Sequence, residues 1–175
     1  VAFDAWCAAE KNKRKTDYEV YTVNDQFYGT LANASGYYRG KKDHVDIYVP
    51  EKSQELVVTY VQEQRRTATV FERDKAASAN PYDVFFGGNH GLMQLDTAQS
   101  GKRLLVIKDS YANCLVPFLA PYYREIVMID PRYYYGDIDQ EMSDYSFDQV
   151  LFLYNGNTFV EDNSISGVLS DGTAE

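Results

Sequence analysis

The chain has 175 residues, of which 45% are hydrophobic and 15% aromatic, with a formal net charge of -9. That length suits one domain with a real core. No apolar run reaches the roughly 18 residues of a membrane-spanning helix, and so acidic a chain repels phosphate backbones, so nucleic acid is not an expected partner.

In chain order, "VAFDAWCAAEKNKR" comes first. Phe3, Trp6 and Cys7 share one helical face, and Ala5, Ala8 and Ala9 favour helix. No Ser, Thr, Asp or Asn precedes Val1 as an N-cap, so the chain is expected to begin inside a helix, with something missing upstream. Lys11, Lys13, Arg14 and Lys15 read as its solvated end. "YEVYTV" from Tyr18 alternates as a strand does. The glycine-containing stretch around Gly29, Gly36 and Gly40 reads as a short helix or loop. Three strands are then predicted, Val45 to Val49, Glu55 to Val61 and Thr67 to Phe71, close enough in sequence for an antiparallel meander. Asn80-Pro81 marks a turn, and Gly87-Gly88 allows a close backbone approach.

The last third changes character. Arg103 to Ile107, Glu125 to Ile129 and Gln149 to Tyr154 are continuous apolar runs, the pattern of parallel strands covered on both faces. Between the first two, Leu115, Phe118, Leu119 and Tyr122 recur at helical spacing, and Pro117 must kink that helix or open its second part. "GDIDQEMSDYSF" is a weaker helix. Strand and helix alternate as in a doubly wound α/β unit, whose ligands sit at the carboxyl ends of the strands. Asp109, Ser110 and Asp130 fall there. The sequence therefore predicts one α/β domain over 1–175, with a mixed segment at 18–100 containing an antiparallel insertion and a parallel βαβαβ unit at 103–160.

Ser110, in "VIKDSYAN", stands where the first parallel strand turns into its helix. A serine there can cap the helix. It can also present a nucleophilic hydroxyl beside helix amides that hold an oxyanion, provided a base lies in reach. His90, after Gly87-Gly88-Asn89, is the nearer of two histidines; His44 precedes a surface strand. The two cysteines, Cys7 and Cys114, read as small core residues rather than a disulfide framework, and no His, Cys or acidic spacing suits a metal, so no metal or cofactor is expected. The 16 tyrosines suit sheet packing and carbohydrate faces alike.

"FYGTLANASGYY" (27–38), "VFFGGNHGL" (84–92) and "LLVIKDSYANCLVPFLAPYYREIVMIDPRYY" (104–134) together resemble the DHHW protein family. That family is named for an Asp-His-His-Trp motif, resembles SGNH (GDSL-like) hydrolases and is related to alginate O-acetyltransferase domains. The resemblance covers nearly the whole chain and implies an SGNH-hydrolase-like, doubly wound, mostly parallel sheet. It places the Asp-x-His that would supply the base just upstream of the first helix. Carried over by position, Ser110 matches the nucleophile and Asp109 its supporting residue. Gly88, Asn89 and Asn113 become candidates for oxyanion donors, and His90, Arg132 and Tyr111 for substrate contacts. Lys108 stands where the hydrolases have the glycine of Gly-Asp-Ser. The implied function is a serine esterase or O-acetyltransferase acting on acetylated glycan, outside the cytoplasm at a bacterial envelope or secreted. A missing N-terminal segment would provide membrane anchoring, and this chain alone would be nearly inert. A non-catalytic glycan-binding module and a structural envelope protein are the alternatives.

Overall fold

The computed structural model describes residues 2–11, 16–138, 140, 143 and 146–161. The chain divides into two compact units interleaved in sequence. The larger comprises Val1–Lys15, Gln54–Val70 and Asn89–Glu175; the smaller comprises Thr16–Ser53 and Phe71–Gly88.

The smaller unit is built on strands β1 (Tyr18–Phe27) and β2 (Asp43–Pro50), paired antiparallel with register shifts between Thr22 and Asn24 and between Asn24 and Phe27. A short helix, Thr30–Ser35, ends on Gly36, whose φ of 67° is the left-handed C-terminal conformation that glycine adopts without strain. Two 3-10 turns, Arg73–Ala77 and Pro81–Val84, complete the unit, and the Asn24 side chain donates to the Ala76 carbonyl at 3.2 Å. Phe86, Gly87 and Gly88 follow with positive φ throughout.

The larger unit holds helix α1 (Ala2–Ala9) and a six-stranded mixed sheet. Its strands are β3 (Leu56–Tyr60), β4 (Arg65–Thr67), β5 (Leu92–Thr97), β6 (Arg103–Lys108), β7 (Glu125–Ile129) and β8 (Gln149–Leu153), in the spatial order β4-β3-β5-β7-β6-β8. Strands β7, β6 and β8 run parallel, whereas β4, β3 and β5 are antiparallel and β5 pairs antiparallel with β7.

This arrangement corrects the sequence expectation in three places. The sheet is mixed rather than mostly parallel, because parallel pairing is confined to three strands among the described residues. The expected meander is broken: β2 pairs with β1, while β3 joins the large sheet between β4 and β5. The strand expected over Thr67 to Phe71 is replaced by β4 at Arg65–Thr67, and Phe71 lies in an isolated bridge to Phe85. The weaker helix expected over 136–147 lies largely outside the described residues.

Burial follows position in the sheet. Every residue of β7 is buried, as are all of β6 except Arg103, since both strands lie inside the sheet. β8 is an edge strand and alternates, leaving Val150 and Phe152 exposed. One face of the sheet packs Leu92, Leu105, Ile107, Val127 and Ile129 against Tyr134 and Ile138 from the connection after β7. The connection after β6 is a chain of short turns: Ser110–Ala112, helix α2 (Val116–Leu119) and Ala120–Tyr122. Pro117 falls in the first turn of α2, so it opens that helix instead of kinking a longer one. Phe3 and Trp6 of α1 dock on this connection. The Phe3 ring stacks on Phe118 at 5.2 Å, and Trp6 meets the Tyr122 ring edge-on at 4.8 Å. Tyr123 donates its hydroxyl to Gln149 Oε1 at 2.8 Å, and Gln149 donates in turn to Glu10 Oε2 at 2.8 Å. Burial, helped by the Glu10 charge, pushes the Tyr123 phenol up to about 12.

Truncating Ile129, fully buried in β7, to alanine is expected to cost roughly 2–5 kcal/mol in urea unfolding. Val160→Ala, at a position 82% exposed, is expected to stay within about 0.5 kcal/mol.

Candidate active site

The site is built at the carboxyl ends of β6 and β7. Their parallel register begins with Arg103 beside Glu125 and passes through four apolar pairs to Ile107 beside Ile129. One step on, Lys108 and Asp130 lie side by side, both fully buried. The two strands are thus bracketed by charged rungs. The first is a bidentate pair, with Arg103 Nε 2.6 Å from Glu125 Oε2 and Nη2 2.9 Å from Oε1. The second is looser: Lys108 Nζ stands 3.7 Å from Asp130 Oδ2.

Asp109 follows Lys108 and is only 1% exposed. Its Oδ1 accepts the Tyr111 N–H and its Oδ2 the Asn155 N–H, both at 2.9 Å. The carboxylate therefore caps the turn after β6 and fastens it to the loop after β8. Its own N–H donates to the Leu153 carbonyl at 3.3 Å. The capping oxygen belongs to Asp109, and Ser110 is the first residue of the turn rather than its cap. The alternation of side chains at a strand end explains the difference: Asp109 sits at the position whose side chain folds back over the turn's amides.

The amides of the three residues after Ser110 are engaged as well. Tyr111 N–H meets Asp109 Oδ1, Ala112 N–H the Asp109 carbonyl at 3.3 Å, and Asn113 N–H the Ser110 carbonyl at 3.1 Å. An oxyanion beside Ser110 would therefore not draw on these three amides, and side-chain donors become candidates. Two of the carboxamides singled out by sequence meet here: Asn113, 1% exposed, donates from Nδ2 to Asn89 Oδ1 at 3.3 Å. Asn89 arrives because β5 begins beside the end of β7, where Asp130 N–H donates to the Gly91 carbonyl at 3.0 Å. Gly91 is required at this approach, since a Cβ there would lie 2.5 Å from the Tyr133 carbonyl oxygen. Gly88 belongs to the smaller unit, and its amide closes a turn on the Phe85 carbonyl at 3.2 Å.

His90 has a carboxylate partner that the sequence reading missed. Its Nδ1 is 2.7 Å from Glu63 Oε1, and its ring packs edge-on to Tyr60 at 4.6 Å. The opposing neighbour of Tyr60 is Arg65, whose Cζ lies 3.9 Å from the ring centroid. Glu63 lies in the turn between β3 and β4, and no local spacing announces its meeting with a residue 27 positions on. Arg132, a candidate for substrate contact, is paired with Asp130. Nε donates to Oδ1 at 2.9 Å, Nη2 to Oδ2 at 2.7 Å, and the Arg132 N–H to Oδ1 at 3.2 Å. Tyr111 is 58% exposed, its side chain turned away from the core.

Burial lowers the Lys108 ammonium from 10.5 to about 8, against the pull of Asp130; Arg132 adds to the lowering and Asp109 opposes it. The Arg132 guanidinium is pushed up, first by its hydrogen bond to Asp130. Among the described residues, no group of His, Cys, Asp and Glu is arranged to hold a metal ion, and no helix is long and apolar enough to cross a membrane.

No protein-family model and no curated protein matches the chain. Among solved structures, the chain is similar to a DHHW family protein from Eubacterium siraeum, with 26% identity and a TM-score of 0.77 over 97% of this chain and 58% of that one. It is also similar in fold to Bacillus cereus PatB1 with a sulfonyl adduct, at 20% identity and a TM-score of 0.65 over 89% of this chain and 54% of that one. A second PatB1 structure gives 22% identity and a TM-score of 0.57, over 82% of this chain and 47% of that one. The chain therefore spans little more than half the length of the DHHW family protein that it matches.

The Lys108 shift has a measurable consequence. Its folded value of about 8 lies below the ordinary 10.5, so between these two pH values the unfolded chain binds more protons than the folded one. Folding stability should then rise as pH climbs from about 8 to 10.5, by up to on the order of 3 kcal/mol. Denaturant unfolding across that range should show the rise in the wild type and not in Lys108→Met.

Proposed function

We propose that the chain is part of a DHHW family protein with an SGNH-like, doubly wound core, and that the whole protein is a serine esterase or O-acetyltransferase acting on acetylated carbohydrate at the bacterial envelope or outside the cell. The observation that carries this reading is the setting of Ser110. It is the first residue of a turn at the carboxyl end of an interior parallel strand, and the turn is locked by the buried Asp109 carboxylate. Ligands of open α/β sheets bind at such strand ends. The similarity to a DHHW family protein over 97% of the chain adds support.

In the proposed reaction, Ser110 Oγ attacks the ester carbonyl carbon while a base takes the hydroxyl proton. The carbonyl electrons move onto oxygen, where the neighbouring carboxamides Asn113 and Asn89 are the candidate donors. Collapse expels the sugar hydroxyl, which takes that proton and leaves acetyl-Ser110. Water completes hydrolysis, and a second sugar hydroxyl completes transfer. In this reading the base is the histidine of the Asp-x-His that the DHHW resemblance implies; the Glu63 carboxylate at His90 Nδ1 would leave that ring's Nε2 chemically able to serve, and labelling of Ser110 in residues 1–175 alone would favour His90 instead. Fluorophosphonate labelling read by mass spectrometry tests this. Ser110 is expected to label in a chain extended upstream through that motif and to label at least a hundredfold more slowly in residues 1–175 alone. Absence of label in both rejects the nucleophile.

The exposed tyrosines favour one other reading, a glycan-binding module without catalysis. Tyr37, Tyr38, Tyr48, Tyr111, Tyr133 and Tyr135 all stand in solvent, and rings with polar tips stack on sugar faces. A module of that kind would bind acetylated glycan with an affinity that Ser110→Ala leaves within about twofold, measured by calorimetry, while showing no labelling.

A further inference from the structure

Lys108 is fully buried, and its Nζ makes no hydrogen bond among the described residues. The carboxylate beside it, Asp130, is already neutralised and held by three N–H groups of Arg132. Burying an ammonium under these terms is costly, and the Arg132–Asp130 pair does not need it for balance. What the lysine adds is charge. Arg132 and Asp130 cancel, and Lys108 offsets Asp109, the carboxylate that also acts on both cations and whose two oxygens are directed at the backbone amides of Tyr111 and Asn155. On the β8 side, Lys108 is paired in register with the apolar Leu153.

Arg132 is the part of this cluster that solvent reaches, with 27% of its side chain exposed. The bonds to Asp130 use Nε and Nη2 and fix the plane of the guanidinium. Nη1 makes no hydrogen bond to the described residues. A planar guanidinium held in one orientation, with Lys108 behind it offsetting the Asp109 carboxylate, suits a carboxylate ligand.

We propose that the carboxyl ends of β6 and β7 form a carboxylate-binding site, in which Arg132, oriented by Asp130, receives the ligand and the buried Lys108 offsets the Asp109 charge that would otherwise repel it. The ligand is a sugar acid or a short free acid, since the same guanidinium edge reads both. The inference rests on reading this strand end as a ligand crevice, and it does not require Ser110 to be a nucleophile.

The test is calorimetric titration of the full 175-residue chain with sodium glucuronate, sodium acetate and methyl glucoside. Both carboxylates are expected to bind and the neutral sugar not to. Arg132→Gln and Lys108→Met should each weaken glucuronate at least tenfold. Affinity in the wild type should fall as pH rises through the Lys108 value of about 8, and this fall should be absent from Lys108→Met. Glucuronate binding more tightly than acetate identifies a sugar acid; equal affinities identify a free carboxylate, and both support the site. Failure of either carboxylate to bind the wild type, or an unchanged affinity in Lys108→Met, overturns it. Should Lys108→Met not fold, the Arg132 Nε–H resonance decides: it must shift on adding glucuronate to the wild type, and a stationary signal overturns the site. Ser110 labelling is read separately, so glucuronate binding without labelling counts against the nucleophile alone.

Discussion

One carboxylate organises the end of the sheet on which everything else is placed. Asp109 reaches two backbone amides from separate loops, the turn after β6 and the loop after β8. A buried carboxylate with both oxygens bonded to N–H groups gives up little on leaving water, whereas the same group unpartnered would be expelled from the interior. The position of Ser110 is therefore a consequence of Asp109. The serine sits on a turn whose start is fixed from one side by its own cap and from the other by a neighbouring strand. A hydroxyl so placed has a defined origin in space even though the turn is only Ser110–Ala112 long.

The same economy governs the pairing of β6 with β7. Apolar pairs from Leu104–Ile126 to Ile107–Ile129 would tolerate a slip along the strands, because a shifted register still brings aliphatic side chains together. The charged rungs do not tolerate it. Sliding one strand by a residue would separate Arg103 from Glu125 and leave two charges partly buried, at a cost that no apolar contact offsets. Register at the amino end is thus set by a tight bidentate pair. The looser rung at the carboxyl end is where the proposed carboxylate site lies. Rigidity and adaptability are distributed along one pair of strands.

Much of this was legible in the sequence, and the misses have physical causes. The runs Arg103 to Ile107 and Glu125 to Ile129 announced interior strands because both faces need apolar side chains. β5 was not announced: Gln94 and Asp96 interrupt its pattern, and its buried residues, Leu92, Met93 and Leu95, do not alternate cleanly. That strand joins the antiparallel and parallel halves, so missing it left the mixed character of the sheet out of sight. Strand pairing across long separations, as between β3 and β5, is written in no local spacing. At the strand end, the position of the Asp109–Ser110 turn was readable from where the apolar run of β6 stops. The partners of Asp109, His90 and Arg132 were not, because Asn155 and Glu63 are brought by tertiary structure. The Arg132–Asp130 bond spans only two residues, yet a separation of two residues on a turn gives no sequence signal that the side chains meet.

The packing of α1 gives the protein an internal light source. Trp6 is the single tryptophan, and it is seated against Tyr122 and Tyr123 on the connection that leads away from Ser110. Its emission consequently reports on one contact rather than on an average over the molecule. An indole held among aromatic rings emits to the blue of one in water, so the colour of this fluorophore distinguishes a docked first helix from a loose one. The tyrosines around it funnel excitation toward the same ring.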